Sequence, residues 1–458
     1  MWGSEPLGLA GLALLLMATG VEARPRAAAS GGHPRSSVVL VVCDSLDGRL
    51  TFFPGNQTVD LPFINFMKRY GTVFLNAYTN SPICCPSRAA MWSGLFTHLT
   101  ESWNNFKGLD PDYVTWMDLM ENHGYHAQKF GKLDYTSGHH SVSNRVEAWT
   151  RDVHFLLRQE GRPMVNLTGD RKQVRVMEAD WQNTDKAANW IKEEAVNLTQ
   201  PFVLYLGLNL PHPYPSPYAG ENFGSSTFLT SAYWLEQVTY EAIKIPKWSS
   251  LSEMHPVDYY SSYTKNCTGE FTQEEVRNIR AFYYAMCAET DAMLGEIISA
   301  LKDTGLLRKT VVIFTADHGE LAMEHRQFYK MSMYEGSSHV PLLVMGPGVK
   351  QQQEIANVVS LVDIYPTMLD LTADPDELTN VAIKFPVIVH SLDKILRSVV
   401  NYPKVSSSVQ EYNKREFIHW KQSLGQNYSS VIANLRWHQD WLKEQKKFEN
   451  AIDKWLGK

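Results

Sequence analysis

The sequence has few cysteines, little net charge and no apolar run long enough to cross a membrane. Five cysteines in 458 residues exclude the class of small secreted domains that disulfides hold together. A formal net charge of −6 argues against a general nucleic-acid binder or a membrane-surface protein. The apolar run Leu7–Met17 is too short for a bilayer, and no later run is long and apolar enough. We therefore predict no nucleic-acid partner and no membrane span.

The composition is that of a globular protein that enters the secretory pathway. Hydrophobic residues make up 44% of the chain and charged residues 20%, which is usual for a large core in one or two domains. Small residues follow Leu7–Met17, so residues 1–23 are predicted to be a signal peptide. Five Asn-x-Ser/Thr sequons are predicted glycosylation sites and favour the same pathway: Asn56, Asn166, Asn197, Asn266 and Asn427.

Three apolar runs predict strands that are buried on both faces: Val38–Val42, Phe202–Leu208 and Thr310–Thr315. The long region Phe271–Asp303, which precedes the third run, and the segment Leu61–Tyr70 have helical spacing. An order of strand, helix and strand predicts parallel pairing with right-handed crossovers. We therefore predict an α/β fold with a large, mostly parallel sheet that helices flank.

Polar residues follow each of these strands, at the sheet edge where ligands gather in open α/β folds. Asp44 ends the first strand region, His212 follows the second in a proline-rich loop, and Asp317 and His318 follow the third. Carboxylates suit a hard cation, and a histidine suits proton donation to a leaving group. Taken singly, however, Asp44 could cap a turn and His212 could be an ordinary loop residue.

The segment Cys84–Arg88 reads Cys-Cys-Pro-Ser-Arg and is followed by small residues and a glycine. Adjacent cysteines in a secreted chain are more often one disulfide partner with a neighbour, or a buried pair. If Cys84 is chemically converted, four cysteines remain, and the sequence allows a Cys267–Cys287 bridge. This segment alone leaves a structural and a catalytic interpretation open.

The Cys-x-Pro-Ser-Arg pattern resembles the signature of the sulfatases, a family with an alkaline-phosphatase-like fold. The resemblance implies that Cys84, not Cys85, is oxidised to formylglycine (3-oxoalanine) by the formylglycine-generating enzyme, a partner during maturation. One hydroxyl of the hydrated aldehyde attacks sulfur, and the other then loses its proton and expels sulfate. A serine or a thiol lacks that second hydroxyl. Arg88 would support the oxidised side chain and offset anionic charge.

Other residues match sulfatase motifs in the family's order. Lys132 and Lys330 match lysines that contact the sulfate, and His212 matches the catalytic histidine after a strand. His255 is a weaker candidate for contact with substrate. The implied metal ligands are Asp44, modified Cys84, Asp317 and His318. The implied ion is one Ca²⁺, with Mg²⁺ as the alternative.

Two positions depart from the family pattern. Ser45 stands where sulfatases commonly have a second aspartate, which removes one negative charge from the metal site. Asp134 stands where many have a histidine, and His139 or His140 could substitute for it.

The Asp44-Ser45 turn, the doubled cysteine and the stretch Gly131–Tyr135 most resemble the glucuronate 2-sulfatases. The implied substrate is the 2-O-sulfate of glucuronate in glycosaminoglycans such as heparan, dermatan or chondroitin sulfate. The implied compartment is the lysosome, reached through the secretory pathway. Two alternatives are a phosphohydrolase of the same fold, against which Cys84 argues, and a catalytically impaired, poorly folded variant.

The resemblance to the sulfatase catalytic domain covers residues 35–371. After Thr372 and Ala373 comes Asp374–Asn380, which resembles a segment that sulfatases place tens of residues later. This implies an internal deletion near residue 372 that removes most of a small antiparallel sheet. Residues 372–458 are therefore predicted to be a C-terminal helical region without that sheet.

Overall fold

The structure is a computed structural model, and it describes residues 35–137, 161–215, 225–373, 402–435 and 441–458. The predicted signal peptide at residues 1–23 lies outside the described residues. So do His139, His140 and residues 374–401, which follow the predicted deletion.

The strands of the described residues fall into one large and one small sheet. They are β1 (Ser37–Asp44), β2 (Gly71–Tyr78), β3 (His126–Gly131), β4 (Gly161–Leu167), β5 (Phe202–Pro211), β6 (Tyr214–Pro215), β7 (Ser225–Thr230), β8 (Thr310–Ala316), β9 (His339–Val340), β10 (Leu342–Met345) and β11 (Gln353–Ser360).

The helices alternate with these strands in most of the chain. They are α1 (Pro62–Tyr70), α2 (Cys84–Ser93), α3 (Thr97–Thr100), α4 (Trp116–Asn122), α5 (Glu178–Glu193), α6 (Ala232–Leu235), α7 (Pro256–Thr264), α8 (Gln273–Asp303), α9 (Glu335–Ser338), α10 (Ile364–Ala373), α11 (Tyr402–Leu424), α12 (Tyr428–Leu435) and α13 (Gln445–Leu456). None of the helices in the described part of the chain combines the length and apolar character that a membrane span needs.

The large sheet has the order β11-β2-β10-β8-β1-β5-β3, with β9 paired to β2. The pairs β8-β1, β1-β5, β5-β3 and β11-β2 are parallel, whereas β9 and β10 run antiparallel to their neighbours. The small sheet joins β4, β7 and β6. The predicted α/β class with a large, mostly parallel sheet and flanking helices is confirmed.

The three strands that apolar runs predicted lie side by side at the centre of the large sheet. Val38 of β1 pairs with Val203 of β5 on one side and with Val311 of β8 on the other. Every residue of β1 is buried, which explains why its sequence is a continuous apolar run. The long helix α8 packs against α5 and β5, so it covers one face of the same core.

The five cysteines are all described and all buried, and none forms a disulfide. The Cys267–Cys287 bridge that the sequence allowed is therefore absent, and both residues belong to the apolar core. The C-terminal helices have a separate hydrophobic cluster, whose aromatic members include Phe417, Trp420, Tyr428, Trp441 and Phe448.

Candidate active site

The ends of β1 and β8 bring the two predicted aspartates together. Cys43 of β1 is in register with Ala316 of β8, and the Asp317 N–H donates to the Cys43 carbonyl at 3.1 Å. Asp44, the last residue of β1, and Asp317, which follows β8, therefore lie at the ends of neighbouring strands on one edge of the sheet. Both carboxylates are buried, which is costly unless positive charge compensates them.

Helix α2 begins at Cys84 and places its thiol beside these carboxylates. Cys84 Sγ lies 3.3 Å from His318 Nε2 and 3.9 Å from Asp44 Oδ1. One ligand atom from each of Asp44, Cys84, Asp317 and His318 falls within 4.8 Å of the others. The neighbouring thiol of Cys85 instead lies 3.9 Å from the Ser102 hydroxyl. Cys84 alone of the pair therefore faces the cluster.

The donors of this cluster fit a divalent cation. His318 Nδ1 lies 3.0 Å from the Gly319 carbonyl, which can only accept, so Nδ1 carries the proton. The lone pair of Nε2 then faces Asp44 Oδ1 at 3.4 Å and Asp317 Oδ1 at 3.5 Å. Burial lowers the pKa of His318, which favours this neutral form. Two carboxylate oxygens and an imidazole lone pair that converge in one buried cluster are a typical metal-binding set.

Arg88 is fully buried and ties the signature helix to the end of β8. Its Nε donates to Asp317 Oδ2 at 2.7 Å, and its Nη1 donates to the Tyr205 hydroxyl at 2.9 Å and to the Lys132 carbonyl at 3.0 Å. Nη2 is buried and makes no hydrogen bond to any described residue. It is therefore a donor available to an oxygen atom of a ligand or of a modified side chain.

Two lysines add positive charge to the cluster. Lys132 Nζ lies 2.5 Å from Asp44 Oδ2 and 3.2 Å from Asp134 Oδ2. Although burial opposes it, Asp44 raises the pKa of Lys132 well above its ordinary value. Lys330 is also buried, and against the same desolvation its neighbours Cys84 and Asp44 raise its pKa, Asp44 through its carboxylate charge. Both lysines are therefore cationic, which suits an anionic substrate.

His212 lies close enough to Asp44 for the two side chains to interact electrostatically. Its ring stacks on Tyr329, with the ring centroids 5.5 Å apart, and its Nδ1 lies 2.7 Å from the Pro213 carbonyl. Nδ1 must donate to that carbonyl, so Nε2 holds the lone pair in the neutral ring. Burial and Lys330 lower the pKa of His212 well below its ordinary value. The lowered pKa favours the neutral form of His212, so its predicted role as a proton donor requires it first to take up a proton.

His255 is not a member of the cluster of Asp44, Cys84, Asp317 and His318. It is exposed and precedes α7, where its Nδ1 accepts a hydrogen bond from the Val257 N–H at 3.3 Å. No contact among the described residues links it to the cluster.

Ser45, at the position of the missing aspartate, has a left-handed backbone (φ 73°), and its hydroxyl donates to Asp44 Oδ1 at 2.9 Å. A hydrogen bond thus replaces a second carboxylate.

Sequence reasoning missed several residues that hold the site in place. The Ser87 hydroxyl donates to the Asp317 carbonyl at 2.6 Å. The Tyr283 hydroxyl, from α8, accepts from the Asp47 N–H and donates to the Ser45 carbonyl, which fixes the turn after Asp44. These contacts mostly join residues more than 200 positions apart, so no local pattern indicates them.

Solved structures share this fold. The chain superposes on a phosphonate monoester hydrolase from Silicibacter pomeroyi with a TM-score of 0.56 and 19% identity, covering 74% of this chain and 73% of that one. For a putative sulfatase from Bacteroides thetaiotaomicron, the TM-score is 0.52 at 21% identity, with 77% and 74% covered. At such identities the likeness shows the fold alone.

Comparison of sequences is more specific. The chain is 70% identical to arylsulfatase K of Gallus gallus over 519 aligned positions that cover 97% of each chain. It is 65% identical to arylsulfatase K of Homo sapiens over 523 positions, covering 98% of this chain and 97% of the relative. Because these positions outnumber the 458 residues of this chain, the relatives contain residues without a counterpart here.

The family description that matches is Sulfatase, over residues 36–374. This match covers most of the chain and includes the whole cluster around Cys84. Together with relatives of such high identity, it shows that the chain belongs to the sulfatase family and is a sulfuric ester hydrolase.

Proposed function

We propose that this chain hydrolyses the 2-O-sulfate ester of glucuronate in glycosaminoglycans, with Cys84 oxidised to formylglycine as the nucleophile. The observation that carries the proposal is the position of Cys84 beside His318 Nε2, in a buried cluster that two lysines make attractive to anions. The residue that the motif register marks for oxidation is thus the one that lies in the cluster. Membership of the sulfatase family argues against the phosphohydrolase alternative.

The unmodified thiol is poorly suited to the reaction. Burial and the neighbouring Asp44 raise the pKa of Cys84 to about 11, so the thiol stays protonated at physiological pH. In the hydrated aldehyde, one hydroxyl loses its proton as its oxygen bonds to sulfur, while the S–O bond to the sugar breaks and the sugar oxygen takes up a proton. The second hydroxyl then loses its proton as the C–O bond to the sulfate breaks, which releases sulfate and restores the aldehyde. The formylglycine-generating enzyme is the partner that this mechanism needs.

The surrounding residues supply charge and a proton. Lys132 and Lys330 hold the sulfate oxygens and offset the charge that develops on them. A bound anion opposes the effect of Lys330 on His212, so His212 Nε2 takes up a proton and gives it to the leaving oxygen. Arg88 donates from its remaining Nη2 to the oxidised side chain of residue 84.

The ligands of the proposed metal are Asp44, Asp317, His318 and the modified Cys84. We propose Ca²⁺, with Mg²⁺ as the alternative, because oxygen atoms dominate the donor set. When bound, the ion neutralises the buried carboxylates and supplies positive charge beside the nucleophile. Ser45 orients Asp44 through its hydroxyl hydrogen bond.

We further propose that the protein is a glycoprotein of the lysosome that travels through the secretory pathway. Asn56, Asn197 and Asn427 are exposed, and Asn166 and Asn266 are partly exposed, so the sequons are on the surface. The substrate there is a sulfated glycosaminoglycan. Whether this chain retains full activity depends on the proposed deletion, which the surplus of alignment positions in the relatives supports.

The test is expression in secretory cells, mass spectrometry of the peptide that contains Cys84, and assays of sulfate release. We expect formylglycine at position 84 and release of sulfate from a disaccharide with 2-O-sulfated glucuronate. A disaccharide with 2-O-sulfated iduronate is the matched comparison, and a small aryl sulfate reports on the chemical step. An unmodified Cys84 in an active enzyme would reject the nucleophile, and a preference for iduronate would reject the substrate.

A further inference from the structure

A polar cavity of about 350 Å³ opens beside Lys132. Its walls include Lys132 and Asp134 after β3, Asn183 of α5 and Asn209 near the end of β5. The volume lies within the range of small-ligand pockets. Because Lys132 also contacts Asp44, the cavity adjoins the cluster around Cys84.

One wall of this cavity is held rigidly. Asp180 is fully buried and accepts hydrogen bonds of 2.8 Å from the Asn209 N–H, from Asn209 Nδ2 and from the Leu210 N–H. The amide nitrogen of Asn209 is therefore turned to Asp180, which leaves its Oδ1 as an acceptor. A side chain fixed in this way loses little entropy when a ligand binds to it.

The charges in the cavity favour one kind of ligand. Lys132 carries one positive charge, but the carboxylates of Asp44 and Asp134 both pair with it, and the other polar walls are the amides of Asn183 and Asn209. A carboxylate repels a sulfate or a carboxylate and accepts from hydroxyl groups. Amides exchange hydrogen bonds with hydroxyls in both directions. A sugar with free hydroxyls therefore fits better than a second anionic group.

We propose that this cavity is the subsite for the uncharged sugar next to the sulfated uronate, and that Asn183 binds its hydroxyls while Asp134 selects against additional sulfate. The inference rests on the proposed function and extends it to the neighbouring residue of the substrate. Asn183 is half-buried and lies outside the metal cluster, so its replacement tests the subsite without a change in the chemical groups.

The first test compares Asn183→Ala with Gln182→Ala, an exposed neighbour on the same helix whose hydrogen bond goes to Glu178. For Asn183→Ala we expect KM for a singly sulfated uronate disaccharide to rise about five- to tenfold, which corresponds to one lost hydrogen bond. Its kcat, and both constants for a small aryl sulfate, should not change. Gln182→Ala should match the parent on both substrates. Equal effects of Asn183→Ala on both substrates, or none, would overturn the subsite.

The second test measures the preference for a singly sulfated disaccharide over one with an additional sulfate on the neighbouring sugar. Asp134→Asn should lower this ratio of kcat/KM values about tenfold, and Asn183→Asp should raise it. The aryl sulfate again serves as the reference for the chemical step. An unchanged ratio in both variants rejects the proposal. If the parent cleaves the aryl sulfate but no uronate disaccharide, both the proposed function and the subsite are rejected. If the parent cleaves the uronate disaccharides and the variants show the same preference as the parent, only the subsite is rejected.

Discussion

Arg88 and Asp317 form an ion pair that excludes solvent completely, with Arg88 Nε 2.7 Å from Asp317 Oδ2 and neither side chain exposed. The pair joins the signature helix to the end of a central strand. Removing one partner of such a pair leaves a buried charge without compensation. The stability of the protein and the position of a metal ligand therefore depend on the same contact.

We expect Arg88→Met to lower the free energy of unfolding by about 3–5 kcal/mol, as is usual when a buried pair is broken. Urea denaturation measures this change. The control is Arg171→Met, because Arg171 pairs with Glu236 at the surface and should contribute less than about 1 kcal/mol. Equal, small changes in both variants would show that Arg88 does not compensate Asp317.

The two adjacent cysteines should respond differently to substitution. Cys84→Ser should abolish turnover, because a sulfated serine has no second hydroxyl to expel the sulfate. Cys85→Ser should retain activity, since the Cys85 thiol contacts Ser102 and lies away from the cluster. Steady-state assays with an aryl sulfate measure both. Equal loss of activity would mean that the roles of the pair are wrongly assigned.

Removal of the metal should lower both activity and thermal stability. A chelator should reduce the melting temperature, because an ion that binds only the folded state stabilises it by mass action. Asp317→Ala should lower the amount of bound metal as measured by elemental analysis. Stoichiometric metal in an Asp44→Ala, Asp317→Ala double variant would place the ion elsewhere.

Two buried carboxyl groups on α8 oppose stability at neutral pH. Burial raises the pKa of Glu289 and of Asp291 to about 7, although both accept backbone hydrogen bonds. The unfolded chain releases these protons near pH 4, so at intermediate pH the folded protein holds more protons. With respect to these two groups, the free energy of unfolding is therefore highest below about pH 4, and it falls as the pH rises through 7.

Glu289→Gln should reduce the fall in the free energy of unfolding that accompanies rising pH. We expect the parent to lose about 2 kcal/mol more than the variant between pH 5 and pH 7.5, as measured by urea unfolding. Glu274→Gln, at an exposed position on the same helix, is the control and should follow the parent. A variant whose pH dependence matches the parent would contradict the prediction. The expected direction suits an acidic compartment.

The proposed deletion predicts lower stability than in a form with the full insert. The active-site residues all precede residue 372, so the chemical groups remain, but apolar surface that the missing sheet would cover becomes exposed, at about 25 cal/mol per Å². Expression of both forms, with melting temperature and activity per mole of formylglycine compared, measures the effect. Equal values would show that the small sheet is dispensable.

The sequence by itself determined the central strands and the chemical identity of the site. Val38–Val42 and Thr310–Thr315 are local apolar runs, and such a run forms a buried strand almost wherever it lies in an α/β chain. The Cys84 signature and the Asp317-His318 pair are also local patterns, so they could be found without knowledge of their neighbours in space. Strand order then predicted that they meet at one sheet edge.

Only the tertiary structure decided which side chains contact each other and in which protonation state. The orientation of Cys85 towards Ser102 and the absence of a Cys267–Cys287 bridge depend on packing between distant segments. The low pKa of His212 arises from burial and Lys330, which lies more than a hundred residues later. Burial and distances between charges set these properties, and neither is encoded in a local pattern of residues.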